Sequence, residues 1–312
     1  MQIYKMNLAR RFQRELTTGR ITLPVSVLLS LLLWSRSLDS ADAYINLMVF
    51  ALIGYLSIEI NTVFSLIRNR TTLHACMFWL ISGICVFLHP FRLVHLIPLA
   101  FMLAFFQLFG SYEREECKSN AFNTFFCLSA CSLLSPHFIN FCIPFLIGMI
   151  AFRSISFQTF LTGLLGIVLP YWFLFGYAFL TDNMSLFFSP FHSMITMAPI
   201  SYGTISLSQW IAIGFISVCG LVSSAHYMTV SHQDKTKVRI LLSFLIFIEV
   251  CIAVAFLLQP QHLIPLFITQ TFITSIMTSH LLVLTRTRFS FIMLISILVF
   301  LMCWAIYSLI ME

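Results

Sequence analysis

The sequence predicts an all-α membrane protein, a polytopic bundle of about eleven membrane-spanning helices. Of its 312 residues, 60% are hydrophobic and only 9% are charged, whereas soluble domains carry about 25% charged residues. Apolar runs of about 20 residues, the length that a helix needs to cross a bilayer, recur along the whole chain. These runs do not alternate with a period of two, which favours helices over a membrane β-barrel.

The individual spans follow from the apolar runs and from the polar residues that separate them. We predict them at about 21–37, 44–67, 74–89, 94–112, 121–134, 138–152, 159–180, 207–228, 239–258, 263–284 and 289–310. The fifth and sixth are short and meet at Ser135-Pro136-His137, where Pro136 breaks any continuous helix. This short helix pair, 121–152, is interpreted as either two tilted spans or one re-entrant hairpin.

The distribution of basic residues predicts the orientation, because Lys and Arg concentrate in cytoplasmic loops. With eleven spans and a cytoplasmic N-terminus, every Lys and Arg except Arg36 and Arg92 falls on the cytoplasmic side. A single span through 121–152 would move Arg153 and every later basic loop outside. The N-terminus is therefore predicted to lie in the cytoplasm and the C-terminus outside.

Two segments flank or interrupt the single transmembrane domain predicted at 21–312. Residues 1–20 form a basic leader, with Tyr4, Leu8, Phe12 and Leu16 on one helical face. The leader is either a solvated stretch that fixes topology or an amphipathic helix on an anionic cytoplasmic leaflet. A signal peptide cleaved near Ala41-Asp42-Ala43 is a further alternative. The external segment at about 182–206 is amphipathic and is predicted to form an interfacial helix with a kink at Pro190.

Polar side chains inside predicted spans are candidate functional groups, because each is costly in hydrocarbon. They are Glu59, Glu249, Gln270 and His280. Glu249, in the middle of the ninth span, would be the most costly. It is interpreted as part of a proton or cation relay, as a satisfied buried carboxyl group that fixes helix packing, or as a protonated group that faces lipid.

A second polar set falls on the predicted outer face. It comprises Asp39, Asp42, His89, Arg92, His95, His137, Asp182, Gln259 and His262. Carboxylates with Arg and His on one side could bind a phosphate or act as acid and base, although loops are also polar simply because they meet water. No metal-ligand spacing and no nucleotide-binding or hydrolase motif is present, so we predict neither a metal nor a cofactor. The distribution of the net charge of +6 encodes topology and does not indicate nucleic acid.

Two stretches of the chain carry a family resemblance. The first runs from Asn120-Ala121-Phe122-Asn123 through Leu133-Leu134-Ser135-Pro136, Pro144-Phe145-Leu146-Ile147-Gly148 and Phe152-Arg153 to Gly163–Tyr171, and the second comprises Pro260-Gln261-His262, Ser279-His280-Leu281 and Leu284–Arg288. Together they resemble an uncharacterised family of polytopic bacterial envelope membrane proteins typical of Bacteroidota. The resemblance implies a multi-pass protein of the bacterial inner membrane and brings no established activity.

The chain is also similar, more distantly, to membrane glycosyltransferases that use polyprenyl-phosphate-linked sugars. Those enzymes have an acidic residue in the first external loop, and the resemblance implies that Asp39 or Asp42 would match it as the catalytic group. Their loop is long and helical, whereas only about six residues separate the first two predicted spans here. The chain thus departs from those enzymes in the loop that carries the acidic residue.

These observations support a carrier for an amphiphile or a subunit of an envelope assembly, with the glycosyltransferase as the alternative. Expected partners are the lipid bilayer, an anionic lipid or lipid-linked substrate, and other membrane proteins. An enzyme would need an outward cavity lined by Asp39 or Asp42 together with Arg92 and His137. A carrier would need a central cavity that reaches Glu249.

Reporter fusions test the predicted topology. Because basic loops stay in the cytoplasm, reporters fused after residues 70, 118, 153, 237 and 287 should all be cytoplasmic. Fusions after residues 41, 92, 192 and 260 should be external. A cytoplasmic reporter at residue 192 would overturn the eleven-span model and make 121–152 a single crossing.

Overall fold

The computed structural model describes residues 11–38, 41–114, 116–195, 200–203 and 205–311. The described residues form an all-α fold and contain no β-strand, which confirms the all-α part of the predicted fold class. The number of spans and the orientation stay predictions. The helices are α1 (Arg11–Thr18), α2 (Thr22–Trp34), α3 (Ala41–Phe64), α4 (Leu73–Ile84), α5 (Leu96–Gly110), α6 (Lys118–Leu134), α7 (Cys142–Ala151), α8 (Phe157–Leu180), α9 (Ser185–Ile195), α10 (Leu207–Val230), α11 (Thr236–Leu258), α12 (Leu263–Leu284) and α13 (Arg288–Met311).

Each of the eleven predicted spans overlaps one of these helices, but not every helix is long enough to cross a membrane. Among the described residues, seven helical segments have the required length and hydropathy: α3, α8, α10, α11, α12, α13, and α5 together with the 3-10 turn that precedes it, Leu93–Gly110. The pair α1 and α2, bent by 68° between them, would make an eighth if it is one broken span. The remaining three, α4, α6 and α7, have 12, 17 and 10 residues. Some apolar runs continue past the helix end, as in the 3-10 turn Val86–Leu88 after α4.

Two further predicted segments contain helices. The helix α9 occupies Ser185–Ile195 and includes Pro190, within the segment predicted to lie at the external interface. In the leader, Tyr4 and Leu8 lie outside the described residues, while Arg11–Thr18 is helical. Phe12 of this helix is exposed, and Gln13 and Thr17 are buried. The described part of the leader is therefore anchored through its polar side.

Gln13 provides that anchor. Its Nε2 atom lies 2.8 Å from the Leu282 carbonyl, 3.1 Å from the Thr285 carbonyl and 3.2 Å from Ser290 Oγ. The last carbonyl groups of a helix have no partner within the helix and must be satisfied from outside. Gln13 therefore satisfies the end of α12 and links it to the first turn of α13.

The chain divides into two compact units, each built from several parts of the sequence. The first comprises residues 1–92, 203–242 and 267–312. In its core, the Trp34 indole stacks on His89 with ring centroids 4.1 Å apart. Asn46 Nδ2 donates to the Leu88 and His89 carbonyls at 2.6 and 2.9 Å. These contacts hold the turn after α4 against α2 and α3.

The second unit comprises residues 93–202 and 243–266. A cluster of phenylalanine rings forms its core, with centroid separations of 5.0 to 6.4 Å among Phe101, Phe105, Phe109, Phe141, Phe145, Phe152 and Phe244. Most of these pairs are edge-to-face, the geometry that aromatic quadrupoles prefer. Beside this core, α6 and α8 approach closely where α8 carries Gly163 and Gly166.

Gly166 offers a test of the close contact between α6 and α8. A Cβ atom at this position would lie 2.5 Å from the Phe122 carbonyl oxygen, which is backbone and cannot move aside cheaply. We expect Gly166→Ala to lower the melting temperature of the detergent-solubilised protein clearly, by the equivalent of about 1–3 kcal/mol. Gly176→Ala in the same helix is the matched control, because nothing lies within 4 Å of its Cβ position. Equal melting temperatures for the two variants would contradict this packing.

Candidate functional site

A pair of histidines marks the candidate site in the second unit. Helix α6 ends at Leu134, and Pro136 opens a 3-10 helix, Pro136–Phe141, that carries His137. The second histidine, His262, ends a 3-10 turn, Pro260–His262, directly before α12. Both short elements begin at a proline, which cannot donate a backbone hydrogen bond and fixes φ. The two prolines thus begin the short elements that carry the two histidines between helices.

The two rings and Ser135 form a chain of hydrogen bonds. His262 Nδ1 lies 3.1 Å from Ser135 Oγ, and His262 Nε2 lies 3.3 Å from His137 Nδ1. Burial lowers the pKa of His137, which lies in the connection between α6 and α7, so its ring is neutral at pH 7. A neutral imidazole has one donor and one acceptor nitrogen. His137 Nε2, at the end of the chain, is buried without a hydrogen-bond partner among the described residues.

The histidine pair lines a cavity of about 210 Å³. Gln259 and Asn140 add polar groups to the same lining. The other lining residues are apolar or weakly polar: Phe138, Phe141, Pro144, Cys251, Val254, Ala255, Leu258 and Leu266. The cavity therefore combines hydrogen-bonding groups with an apolar wall, which suits a molecule that has both kinds of surface.

The structure brings only part of the predicted outer-face set into this site. His137, Gln259 and His262 meet there. His89 is instead buried in the first unit, where its Nδ1 hydrogen bonds to Ser37 Oγ at 2.7 Å. Asp42 is exposed in the first turn of α3, and Asp39 lies outside the described residues. Arg92 and Asp182 are exposed, and His95 is fully buried.

The predicted intramembrane groups have different surroundings. Glu249 is buried in α11, Glu59 is half-buried in α3 and Gln270 is half-buried in α12. Cys251, two residues after Glu249, lines the histidine cavity, whereas Glu249 does not. The histidine cavity is therefore not the cavity reaching Glu249 that the sequence led us to expect of a carrier. His280 is buried near the end of α12 and pairs with Asp234.

Asp234, the partner of His280, lies in the connection between α10 and α11. Its Oδ2 atom lies 2.9 Å from His280 Nε2, and both side chains are at most 5% exposed. Its Oδ1 atom accepts a hydrogen bond from Arg68 at 3.2 Å. Arg68 also donates to the Gln233 carbonyl at 2.6 Å, and the Tyr227 ring packs edge-on against His280 with centroids 5.0 Å apart. All of these residues belong to the first unit.

The two hydrogen bonds of Asp234 differ in how much they contribute to stability. The Arg68 side chain is 60% exposed, and exposed ion pairs contribute only about 0–1 kcal/mol. The bond to His280 is shielded from water. Loss of either partner would therefore leave a buried polar group without a hydrogen bond. The Asp234–His280 contact is therefore the stronger attachment of the α10–α11 connection to α12.

Metal binding finds no support in the geometry of the residues that the structure describes. No group of three or more His, Cys, Asp or Glu side chains among them is arranged to hold an ion. The His137–His262 pair supplies only two imidazole rings, and three of their four nitrogens bond to each other or to Ser135.

The fold and its two polar centres thus define an all-α protein with helices of membrane-spanning length. Comparison of the chain with family models, curated proteins and solved structures gives no match.

Sequence reasoning missed Ser135 and Asn140 in the first of these centres, Arg68 and Asp234 in the second, and Gln13 at the end of α12. Asp234 had a visible signal, since it is the one acidic residue in the basic segment 231–239. An acidic side chain among basic residues is a candidate for an ion pair. Gln13 and Ser135 gave no such signal, because polar residues in a leader or beside a proline are common.

Asp234 can be tested by stability. We expect Asp234→Ala to lower the free energy of unfolding by about 3 kcal/mol, because it leaves the buried His280 without its partner. Arg68→Ala should cost less than about 1 kcal/mol, since that side chain is largely exposed. Glu116→Ala, at an exposed acidic position, is the control. Thermal unfolding in detergent measures all three, and similar losses for Asp234→Ala and Arg68→Ala would reject the proposed ranking.

Proposed function

We propose that this protein is a membrane carrier for an amphiphile, and that the cavity at His137 and His262 binds the polar headgroup. The observation that carries the proposal is the composition of the cavity, with two imidazoles, Gln259 and Asn140 beside a mostly apolar wall. Imidazole and carboxamide groups offer both donors and acceptors. These groups are therefore complementary to a headgroup that carries hydroxyl or phosphate oxygens.

The size of the cavity limits what it encloses. Its volume of about 210 Å³ is below the roughly 300–1,000 Å³ of pockets that enclose a drug-sized ligand. It accommodates a headgroup and the start of a chain. Val254 and Leu258 line the cavity and are 49% and 59% exposed. They give the apolar tail a path along α11 toward lipid.

The proposal includes the topology that the charges predict. The chain crosses a bacterial inner membrane about eleven times as one domain over 21–312, with the N-terminus in the cytoplasm and the C-terminus outside. The segment 182–206 lies at the outer interface. We also propose that the chain belongs to the bacterial envelope family that it resembles and that it acts within a larger envelope assembly.

Glycosyl transfer is the less favoured function. It needs Asp39 or Asp42 with Arg92 and His137 around one cavity. The cavity at His137 is lined entirely by residues of 137–144 and 251–266. No group in that lining is a carboxylate that could act as the general base.

Transport of a fluorescent lipid tests the carrier. Purified protein is reconstituted into phosphatidylcholine vesicles that contain NBD-labelled phosphatidylglycerol, and dithionite reports the labelled lipid that reaches the outer leaflet. We expect Ala255→Trp, which fills the apolar part of the cavity, to slow this movement at least tenfold. Ala253→Trp, at an exposed position of the same helix outside the lining, should move lipid at the wild-type rate.

A second pair of variants tests the headgroup contacts. His262→Phe keeps the ring but removes both of its hydrogen bonds, so transport should fall while His192→Phe, at an exposed histidine of α9, has no effect. Size-exclusion profiles and melting temperatures verify that each variant is folded. Wild-type transport by folded Ala255→Trp and His262→Phe would reject the cavity as the transport site. Absence of transport by the wild type would reject a carrier of this lipid class.

A further inference from the structure

We infer that the groove between α10 and α13 is a binding site for an anionic phospholipid, with one acyl chain in the groove and the phosphate at Arg286 and Arg288. The site lies within the first unit and is separate from the histidine cavity. It does not depend on the carrier function.

The groove has the shape and composition of an acyl-chain site. It encloses about 350 Å³ and is lined by Phe215, Val218, Cys219, Val222, Phe289, Ile292, Met293, Ser296, Ile297 and Phe300. Its most polar residue is Ser296, whose hydroxyl donates to the Met293 carbonyl of its own helix. No lining residue can pair with a headgroup, so the part of a ligand that lies here must be hydrocarbon.

The length of the groove also fits a lipid chain. Phe289 and Phe300 are eleven residues apart on α13, which corresponds to about 16 Å along a helix. At the Phe300 end, the Phe215 and Phe300 rings stack with centroids 4.3 Å apart and planes 7° from parallel. The stacked rings block the groove between α10 and α13 at this end. An acyl chain would therefore enter from the Phe289 end.

Basic residues adjoin that entrance along the chain. Arg288 directly precedes Phe289, Arg286 lies two residues earlier, and both side chains are exposed. Gln13 brings α1 against the same turn through its bonds to Leu282, Thr285 and Ser290. It thereby adds the exposed Arg14 on the next residue to the positive charge in this region.

Acidic side chains do not offset this charge. Helices α10, α12 and α13 contain no Asp or Glu as far as Met311. Glu15 of α1 is bonded to Arg11, and Asp234 is bonded to His280 and Arg68. Positive charge next to a hydrocarbon groove is complementary to a lipid whose phosphate is not neutralised by its own headgroup. Phosphatidylglycerol has that chemistry, whereas phosphatidylcholine is zwitterionic.

The test is lipid binding by the full chain in detergent. The probes are pyrene-labelled phosphatidylglycerol and pyrene-labelled phosphatidylcholine, titrated into delipidated protein. We expect phosphatidylglycerol to bind more tightly, and Arg286→Gln/Arg288→Gln to weaken it by roughly 30-fold, since each basic residue near anionic lipid contributes about a fivefold factor. The control, Arg70→Gln/Lys235→Gln, removes two exposed basic residues elsewhere in the first unit and should leave binding unchanged.

A second pair of variants tests the groove itself. Ser296→Phe fills the groove and should abolish tight binding. Val299→Phe, at an exposed position of α13 outside the lining, should bind as the wild type does. Equal affinity for the two lipids, or equal losses in the two charge variants, would overturn the headgroup assignment. Unchanged binding by folded Ser296→Phe would overturn the inference that the groove holds the acyl chain.

Discussion

The fold depends on one constraint: every backbone N–H and C=O group in an apolar surrounding needs a partner. A continuous helix satisfies its own interior, so difficulty arises only where helices end. Here several ends are completed by side chains from distant parts of the sequence, such as Gln13 on α12 and Asn46 on the turn after α4. These amide side chains also connect elements that apolar packing alone would leave free to slide.

The same constraint explains which parts of the fold could be predicted from the sequence. Apolar runs gave the position of every long helix, because lipid-exposed and buried faces are both apolar and the run ends where polar residues begin. Helix length was predicted less well. In α4 the apolar sequence continues beyond Ile84, but the backbone turns at Cys85. Hydropathy does not report that turn, because the residues that form it are themselves apolar.

The candidate site was predicted only in part, for a related reason. His137, Gln259 and His262 were recognised as polar groups near predicted span ends, and the structure brings them together. Nothing in their spacing distinguished them from His89 or Asp182, which lie elsewhere. Side chains separated by more than a hundred residues meet because of helix packing. A single sequence without pairing information does not encode that packing in any local pattern.

The hydrogen-bond chain through Ser135, His262 and His137 has a consequence for selectivity. If Ser135 donates to His262, each bond in the chain points toward His137, and the terminal Nε2 carries a proton. If the chain runs the other way, the same nitrogen presents a lone pair. Rotation of one hydroxyl and a shift of tautomers interconvert the two arrangements without moving a heavy atom. The end of the chain can thus match either a donor or an acceptor, so shape would discriminate between ligands where polarity does not.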